Sequence, residues 1–571
     1  MDFMSSYLAW LEGDSFDQST RGELETIRKD EKEIEDRFYK NLEFGTGGLR
    51  GILGAGTNRM NIYTVRKATQ GLANYLLKQS AENAAKGVAI AYDSRHMSAE
   101  FCLQAARVLN GNGIKTFTFD ALRPTPVLSF AVRALGCAAG IVITASHNPK
   151  DYNGYKVYGS DGGQVPYPED EAIINEVNAV TDFSQIKYAE QSSLFVVADQ
   201  SLDDAYVQQV KAQLINPKVV KQQSDSMTIV FTPLHGAGNV PVRRVLSEIG
   251  FNKVHVVPEQ EAPDPDFPTV PYPNPEDPAV FALGIKLAEQ TGADLILATD
   301  PDSDRLGCAV QDKTGAWVFL TGNMIGTLIA EYVLSQKAKN GTLPSDAAVI
   351  STIVSSRLTR KIAENYGVAY FDTLTGFKYI GEKIKAFEAD GSHTYLFGFE
   401  ESYGYLAGTY ARDKDAVGAA MLVCELAAHY KAQGLSLLDG LNAMYEKYGH
   451  YKENTESMTM KGLDGIAAIN KIMASLRGNP PKTVNGTTVT GICDYRAGIC
   501  KNIAAGTEAP IALPPSDVLI FEMADGCWFA ARPSGTEPKI KIYFGVTADS
   551  RQAAEDKFLR ISEEVMQAII S

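Results

Sequence analysis

The chain has no excess of positive charge: 54 Lys and Arg stand against 69 Asp and Glu, a formal net charge of −15. That balance argues against nucleic acid or an anionic membrane surface as a partner, although it leaves room for a local basic pocket. Long apolar runs are missing too. No window approaches the ~18 uninterrupted apolar residues that a membrane span needs. Met1-Asp2-Phe3-Met4 opens without a basic stretch, so no signal peptide is expected. Cysteine is scarce: seven in 571 residues, without a C-x-x-C pair and mostly in apolar surroundings, as at Cys102, Cys137 and Cys424. Buried free thiols in a reducing cytoplasm are the expectation. The Gly-rich run Phe44-Gly45-Thr46-Gly47-Gly48-Leu49-Arg50-Gly51 fits neither nucleotide-binding glycine pattern, and no G-x-S-x-G elbow surrounds the serine discussed below.

What is present is the composition of an ordinary globular protein, 45% hydrophobic and 22% charged. The length exceeds one core and suggests roughly three to five domains. Residues 1–40 carry apolar positions at helical spacing (Tyr7, Leu8, Leu11; Leu24, Ile27, Ile34, Phe38). One pattern then occurs three times. Strands at 87–92 and 115–119 precede the apolar run Ala139–Ile143, which delivers Thr144-Ala145-Ser146-His147-Asn148-Pro149 into a loop. Strands at 227–231 and 253–257 precede Asp294–Ala298, which ends at Asp300. Strands at 348–352 and 368–371 precede Thr394–Phe397, which leads to Glu400. Strands alternating with helical patterns indicate parallel α/β units, whose functional loops gather beyond the carboxyl ends of the strands. The Pro-rich stretch Pro258–Pro278 reads as a loop within the second repeat. The last ~120 residues differ, with short strands, Asn/Gly turns and a closing helix from Ser550, an α+β module.

Four loops carry chemistry. Asp300-Pro301-Asp302-Ser303-Asp304-Arg305 places three carboxylates at alternate positions after a buried strand, where their repulsion calls for a hard divalent cation such as Mg²⁺. It is no EF-hand, since Arg305 and Gln311 stand where Gly and Glu are required. A solvated acidic turn is the bland reading. Ser146 has His147 beside it, and Lys150 and Lys156 can neutralise phosphate. Gly398-Phe399-Glu400-Glu401-Ser402-Tyr403-Gly404 offers the acceptors and donors that suit a polyol, or simply acids that cap a helix. Arg412-Asp413-Lys414-Asp415 contains Lys414, an acid/base candidate or a member of an exposed charged face. Arg532-Pro533-Ser534-Gly535-Thr536-Glu537-Pro538-Lys539 has the parts of a phosphate cradle, or of a plain hairpin loop. The Gly-rich run around Arg50 can bring backbone donors and one guanidinium to an anion, or serve as a flexible connection.

Together these motifs resemble the α-D-phosphohexomutase superfamily, most closely its phosphoglucomutase and phosphopentomutase branch. Gly45–Arg50 and Thr375-Gly376-Phe377-Lys378 are lesser matches, with Phe377 where some members have Trp. The resemblance implies three related α/β domains with mixed, largely parallel sheets plus a C-terminal α+β domain around one central cleft. The corresponding division is a helical extension at 1–40, then 41–205 (phosphoserine loop), 206–322 (metal loop), 323–450 (sugar loop) and 451–571 (phosphate loop).

It further implies an isomerase-class intramolecular phosphotransferase of carbohydrate metabolism, converting glucose 1-phosphate and glucose 6-phosphate through a phosphoserine and glucose 1,6-bisphosphate. Mg²⁺ would sit with Asp300, Asp302, Asp304 and Ser146. Catalysis would fall to Ser146, His147, Lys156, Arg50 and Lys414. Substrate binding would fall to Thr375, Gly376, Lys378, Glu400, Ser402, Arg305, Arg532, Ser534, Gly535 and Thr536. A cytoplasmic monomer or weak homodimer is expected, with a small phosphosugar as its partner. Ser402 favours a hexose over a pentose, and the absence of Gly-Glu-Met-Ser disfavours a phosphomannomutase. A phosphopentomutase, a sugar-bisphosphate synthase and a non-catalytic phosphosugar binder are the alternatives.

Overall fold

The computed structural model describes residues 2–43, 48–460, 462–534 and 539–570. The chain divides into two compact units, Met1–Ile325 with Phe377–Ser436, and Gly326–Gly376 with Leu437–Ser571.

In the first unit, three helices at Phe3–Glu12, Gln18–Thr26 and Glu31–Phe38 bury Tyr7, Leu24, Ile34 and Phe38 of the positions noted above, with Trp10, Phe16 and Tyr63 completing an aromatic cluster, whereas Leu8 is exposed. Strands β1 (Gly48–Ile52), β2 (Val88–Tyr92), β3 (Thr116–Thr118), β4 (Ala139–Ile143), β5 (Tyr152–Gly159) and β6 (Phe195–Val197) form one sheet, ordered β1-β5-β4-β2-β3-β6. β2 pairs parallel with β3 and β4, whereas β5 runs antiparallel to β4. Every residue of β4 is buried, which is why its sequence is a continuous apolar run and not an alternating one. The helix Ile62–Gln79 starts at a reciprocal capping box, Asn61 with Thr64.

A second sheet holds β7 (Thr228–Thr232), β8 (Lys253–Val256), β9 (Leu295–Thr299), β10 (Leu306–Gln311) and β11 (Trp317–Leu320), ordered β11-β10-β9-β7-β8. It repeats the plan of the first: the opening strand lies between the second and the third, and a fourth strand returns antiparallel. The third repeat shows the same kinds of pairing. β12 (Ala347–Thr352) and β13 (Ala369–Thr373) pair parallel in the second unit, and β14 (Thr394–Glu400) and β15 (Gly404–Ala407) form an antiparallel hairpin in the first. The loop that begins at Thr144 is short, and Gly154 already lies within β5.

The rest of the second unit contains β16 (His450–Thr459), β17 (Thr483–Val484), β18 (Thr487–Asp494), β19 (Ile499–Asn502), β20 (Thr507–Pro510), β21 (Leu519–Met523), β22 (Trp528–Pro533) and β23 (Lys539–Ala548), all in antiparallel pairs. The stacked rings of Phe521 and Phe529 lie at the centre of its core. A helix at Gly462–Gly478 joins the short strands, turns and closing helix expected of this module, and β16 is ten residues long. Among the described residues no helix is long and apolar enough to cross a membrane.

The cysteine expectation needs correction. Cys102, Cys137, Cys308, Cys424 and Cys527 are buried free thiols, but Cys493 and Cys500 form a disulfide. The register of β18 against β19 places them directly opposite, with Cα atoms 4.0 Å apart. Pairing of that kind depends on register, which cysteine spacing alone does not reveal.

Glu453 on β16 accepts a hydrogen bond from the Ser356 hydroxyl, and burial pushes its carboxyl up to about 7. The folded value lies above the unfolded one, so the native state holds the proton more tightly. That contribution is present below about pH 4.5 and lost as pH rises through 7. Glu453→Gln is therefore expected to raise stability at pH 8 by about 2 kcal/mol and to flatten its pH dependence. Urea midpoints at pH 5 and pH 8 test this, and an undiminished difference between the two would contradict it.

Candidate active site

Ser146 lies three residues past the end of β4 and is almost fully buried, with φ at +52°. L-residues other than glycine adopt this left-handed conformation sparingly, and side chains hold it here. The Ser146 N–H donates to Thr144 Oγ1 (2.8 Å), and the Thr144 hydroxyl donates to Asp93 Oδ2 (2.6 Å). Arg95 lies inside the loop's curve. Its guanidinium donates to the carbonyl oxygens of Ser146, Asn148, Pro149 and Tyr152, while Asp93 faces its Nε at 3.3 Å. Asp93 and Arg95 come just after β2, and the sequence reading gives them no role. Their position at the carboxyl end of β2 was the one signal available.

The three aspartates meet this loop. The Ser146 Oγ–H donates to Asp300 Oδ2 at 2.7 Å. With that proton so directed, His147 Nδ1, 3.1 Å from Oγ, is left to donate. Burial, followed by the charges of Arg305 and Arg50, holds the His147 imidazole well below its ordinary value, so it is neutral. Asp300 Oδ1 accepts the backbone N–H groups of Asp304 (3.1 Å) and Arg305 (3.0 Å). Burial pushes the Asp300 carboxyl well up, and the charges of Asp302 and Asp304 push it the same way. Asp302 is also buried, but the Lys156 ammonium and a hydrogen bond with Asp300 hold it well below the usual carboxylate range.

Two lysines neutralise the trio. Lys156, opposite Val142 on β5, places Nζ 3.0 Å from Asp302 Oδ2 and 3.6 Å from Asp304 Oδ2. Lys414 Nζ lies 3.2 Å from Asp304 Oδ2 and 2.9 Å from Asp413 Oδ1, and Asp413 in turn accepts from the Tyr158 hydroxyl at 2.7 Å. Burial favours the neutral amine for both lysines, but the surrounding carboxylates outweigh it and raise both. Lys414 is therefore a buried, fixed ammonium and not part of an exposed charged face. Asp413 and Tyr158 escaped the sequence reading, since residues 255 positions apart give no joint signal.

The site fits a cation. Asp302 Oδ1, Asp304 Oδ1 and Ser303 Oγ are buried without a hydrogen-bond partner. One oxygen from each of Asp300, Asp302 and Asp304 lies within 4.8 Å of the others. Hard oxygen donors left unpaired at a cluster of like charges match what Mg²⁺ requires.

The Glu400 loop adjoins the trio. Arg305 forms a backbone bridge with Gly404, and the Leu306 N–H donates to the Tyr403 carbonyl (3.1 Å). A Cβ on Gly404 would meet Lys414 Cδ at 2.1 Å, so only glycine lets the ammonium pass between the two loops. The Ser402 hydroxyl donates to Glu400 Oε1 at 2.9 Å. No helix follows to be capped; the loop turns directly into β15. The Arg305 guanidinium donates to the Ser402 carbonyl (2.9 Å) and to Glu276 (2.6 Å).

Arg50 lies on β1 opposite Gly154 and donates to Asn148 Oδ1 at 3.2 Å. Lys378 Nζ is 3.5 Å from Asp170. Thr375, Gly376, Arg532 and Ser534 belong to the second unit. There Gly376 takes φ +118°, the Thr375 hydroxyl is buried without a partner, and Arg532 donates to the Tyr543 hydroxyl at 3.4 Å. Gly535 and Thr536 lie outside the described residues, as do Phe44–Gly47.

Four family models match successive segments of the chain. Models of the phosphoglucomutase/phosphomannomutase alpha/beta/alpha domains I, II and III match residues 41–183, 204–315 and 321–448, and that of the C-terminal domain matches 460–558. A phosphoglucomutase of Staphylococcus aureus (strain bovine RF122 / ET3-1) is 39% identical over 515 residues, 90% of each chain. The structure is similar to parafusin (phosphoglucomutase) of Paramecium in its open form, with TM-score 0.67 and 19% identity over 92% of this chain and 96% of that one. It is also similar to an N-acetylphosphoglucosamine mutase of Aspergillus fumigatus in complex with GlcNAc-6P and magnesium (TM-score 0.50, 15% identity, 93% and 96% covered). The chain belongs to the phosphoglucomutase/phosphomannomutase family of the α-D-phosphohexomutase superfamily and is a phosphosugar mutase, an enzyme of the isomerase class.

Proposed function

We propose that this chain interconverts glucose 1-phosphate and glucose 6-phosphate, with Ser146 carrying the phosphoryl group. The observation that carries this reading is the Ser146 hydroxyl, buried and hydrogen-bonded to one of three clustered aspartates between two fixed ammonium groups. Asp300, Asp302 and Asp304 would hold Mg²⁺ beside the serine, and the ion would supply charge neutralisation to a phosphoryl group there. Transfer of such a group depends mainly on position and charge. Lys156 and Lys414 remain protonated and offer N–H donors to equatorial phosphate oxygens. His147 is neutral and directs a donor at Ser146 Oγ, the atom that accumulates charge when it loses its phosphoryl group.

The cycle starts from phosphorylated Ser146. A sugar hydroxyl gives up its proton and attacks the phosphorus, the bond from phosphorus to the serine oxygen breaks, that oxygen takes up a proton to regenerate the Ser146 hydroxyl, and glucose 1,6-bisphosphate forms. After the intermediate turns over, the Ser146 oxygen attacks its other phosphate and the product departs. Glu400 and Ser402 grip sugar hydroxyls, Arg305, Thr375, Gly376 and Lys378 line the substrate, and Arg50 supports the serine loop. Arg532 and Ser534, with Gly535 and Thr536, hold the phosphate that is not reacting. We retain the division at residues 40, 205, 322 and 450, which gives each of these loops its own domain.

An assay of sugar 1-phosphates with Mg²⁺ and a trace of glucose 1,6-bisphosphate tests the substrate. Glucose 1-phosphate is expected to exceed ribose 1-phosphate and mannose 1-phosphate in kcat/KM by about tenfold or more. Preference for ribose would make the protein a phosphopentomutase, and preference for mannose a phosphomannomutase. Ser402→Ala is expected to lower kcat/KM for the hexose about tenfold and to narrow its margin over ribose. An unchanged ratio would remove Ser402 from substrate choice.

A further inference from the structure

The Pro-rich stretch Pro258–Pro278 has no place in the chemistry so far, yet it touches the site at both ends. An internal network holds its first half. Gln260 is fully buried, accepts from the Thr232 hydroxyl (2.6 Å) and donates to Thr269 Oγ1 (3.0 Å). His235 Nε2 is hydrogen-bonded to the same hydroxyl at 2.9 Å, and the His235 N–H donates to the Gln260 carbonyl at 3.0 Å. This network presents Phe267, 2% exposed and at φ +45°, with its ring centroid 5.0 Å from the Arg95 guanidinium. Arg95 is the group whose donors gather the serine-loop carbonyls. Beside it, Asp266 Oδ1 meets Lys150 Nζ (3.0 Å) and His96 Nε2 (3.2 Å), the former from the serine loop itself.

The other half lies on the metal loop's return strand. A Cβ on Gly307 would meet the Pro275 carbonyl at 2.6 Å, so β10 is bare at that point and the stretch sits directly upon it. The next residue, Glu276, is fixed by its own N–H on Asn274 Oδ1 (3.1 Å) and holds Arg305 against the Ser402 carbonyl. One rigid segment thus touches the arginine inside the serine loop and the arginine that joins the metal loop to the sugar loop.

We infer that residues 258–278 form a positioning strap, in which Phe267 seats Arg95 and thereby the Ser146 loop, and Glu276 seats Arg305 and thereby the Glu400–Ser402 loop. Neither residue touches substrate; both are positioning residues, and the assignment rests on the phosphoserine reading above. The aromatic face matters because it favours a desolvated guanidinium without competing for the donors that the loop carbonyls use. The carboxylate matters because it binds the same guanidinium nitrogen, Nη1, that donates to the Ser402 carbonyl, and so fixes that nitrogen in place.

Full-length Phe267→Leu and Glu276→Gln test the strap by hydrogen exchange together with kinetics. In Phe267→Leu, amides of residues 144–153 are expected to exchange about tenfold faster, while those of β4 and β9 keep the wild-type rate. The rate at which Ser146 takes phosphate from glucose 1,6-bisphosphate should fall about tenfold with KM unchanged. In Glu276→Gln, faster exchange is confined to residues 402–406, and KM for the sugar phosphate rises about fivefold with kcat per labelled Ser146 retained. Wild-type exchange in both loops overturns the strap, and so does acceleration spread evenly across the unit, which is the signature of mere destabilisation. A wild-type protein that takes no label at Ser146 defeats the phosphoserine reading instead, while the exchange data still judge the strap.

Discussion

Replacing Ser146 by alanine is expected to lower kcat by at least about 10⁴-fold and to abolish labelling by glucose 1,6-bisphosphate. The groups beside it are set to other tasks: His147 is neutral and directs a donor at the serine oxygen, the three aspartates form the candidate cation site, and Lys156 and Lys414 are held as ammonium ions by the carboxylates around them. Loss of a covalent carrier removes the pathway itself and not one interaction within it. The structural cost is small by comparison. Asp300 loses one hydroxyl donor but keeps the N–H groups of Asp304 and Arg305, so stability should change by about 1 kcal/mol. Kinetics, phosphate labelling and a melting curve on one preparation separate the two effects. Full turnover in Ser146→Ala would end the phosphoserine reading.

The second large effect is expected at Asp300. In Asp300→Asn the activity should fall about 10³-fold, yet the metal-free protein should melt no lower than the wild type. Burial and two neighbouring carboxylates push Asp300 towards its neutral form, and an amide is the neutral form in nearly the same shape. Added Mg²⁺ should reverse the comparison. Binding to the native state alone stabilises it by RT ln(1 + [L]/Kd), and wild type should gain about 2–3 kcal/mol at a hundredfold excess over Kd, while Asp300→Asn gains little. Melting curves with chelator and with saturating Mg²⁺ make the test independent of turnover. Equal Mg²⁺-induced shifts in the two proteins would remove Asp300 from the cation site. A wild type that keeps full activity in chelator would remove the ion from the reaction.

Much of this site was legible before any fold was known, for identifiable reasons. Ser146 and Asp300 follow strands buried along their length, Glu400 ends a strand buried at all but its first residue, and such strands announce themselves as apolar runs. Polar residues placed directly after them had to lie at one edge of a sheet. Lys414 was visible as a candidate, but its environment was not: an ion-rich stretch reads alike whether it faces water or, as here, a buried carboxylate cluster. Arg95 and Phe267 were passed over because nothing in a local window says that a guanidinium will be surrounded by the carbonyls of residues 51 to 57 positions away.

By itself the sequence determined the local patterns: which apolar runs would be the buried strands of the repeats, and which residue types come after them. It thereby determined the threefold repeat, the serine proposed to carry the phosphoryl group and the carboxylate trio. The tertiary structure decided which of these groups meet. Ser146 reaches Asp300 across 154 residues, and Tyr158 reaches Asp413 across 255. Cys493 pairs with Cys500 only through the register of two strands. Charge and burial then set each group's state, because a neighbour within about 4 Å in a water-poor interior outweighs intrinsic preference. That is why Lys414 stays an ammonium and His147 stays neutral, and no inspection of their own stretches of sequence could have said so.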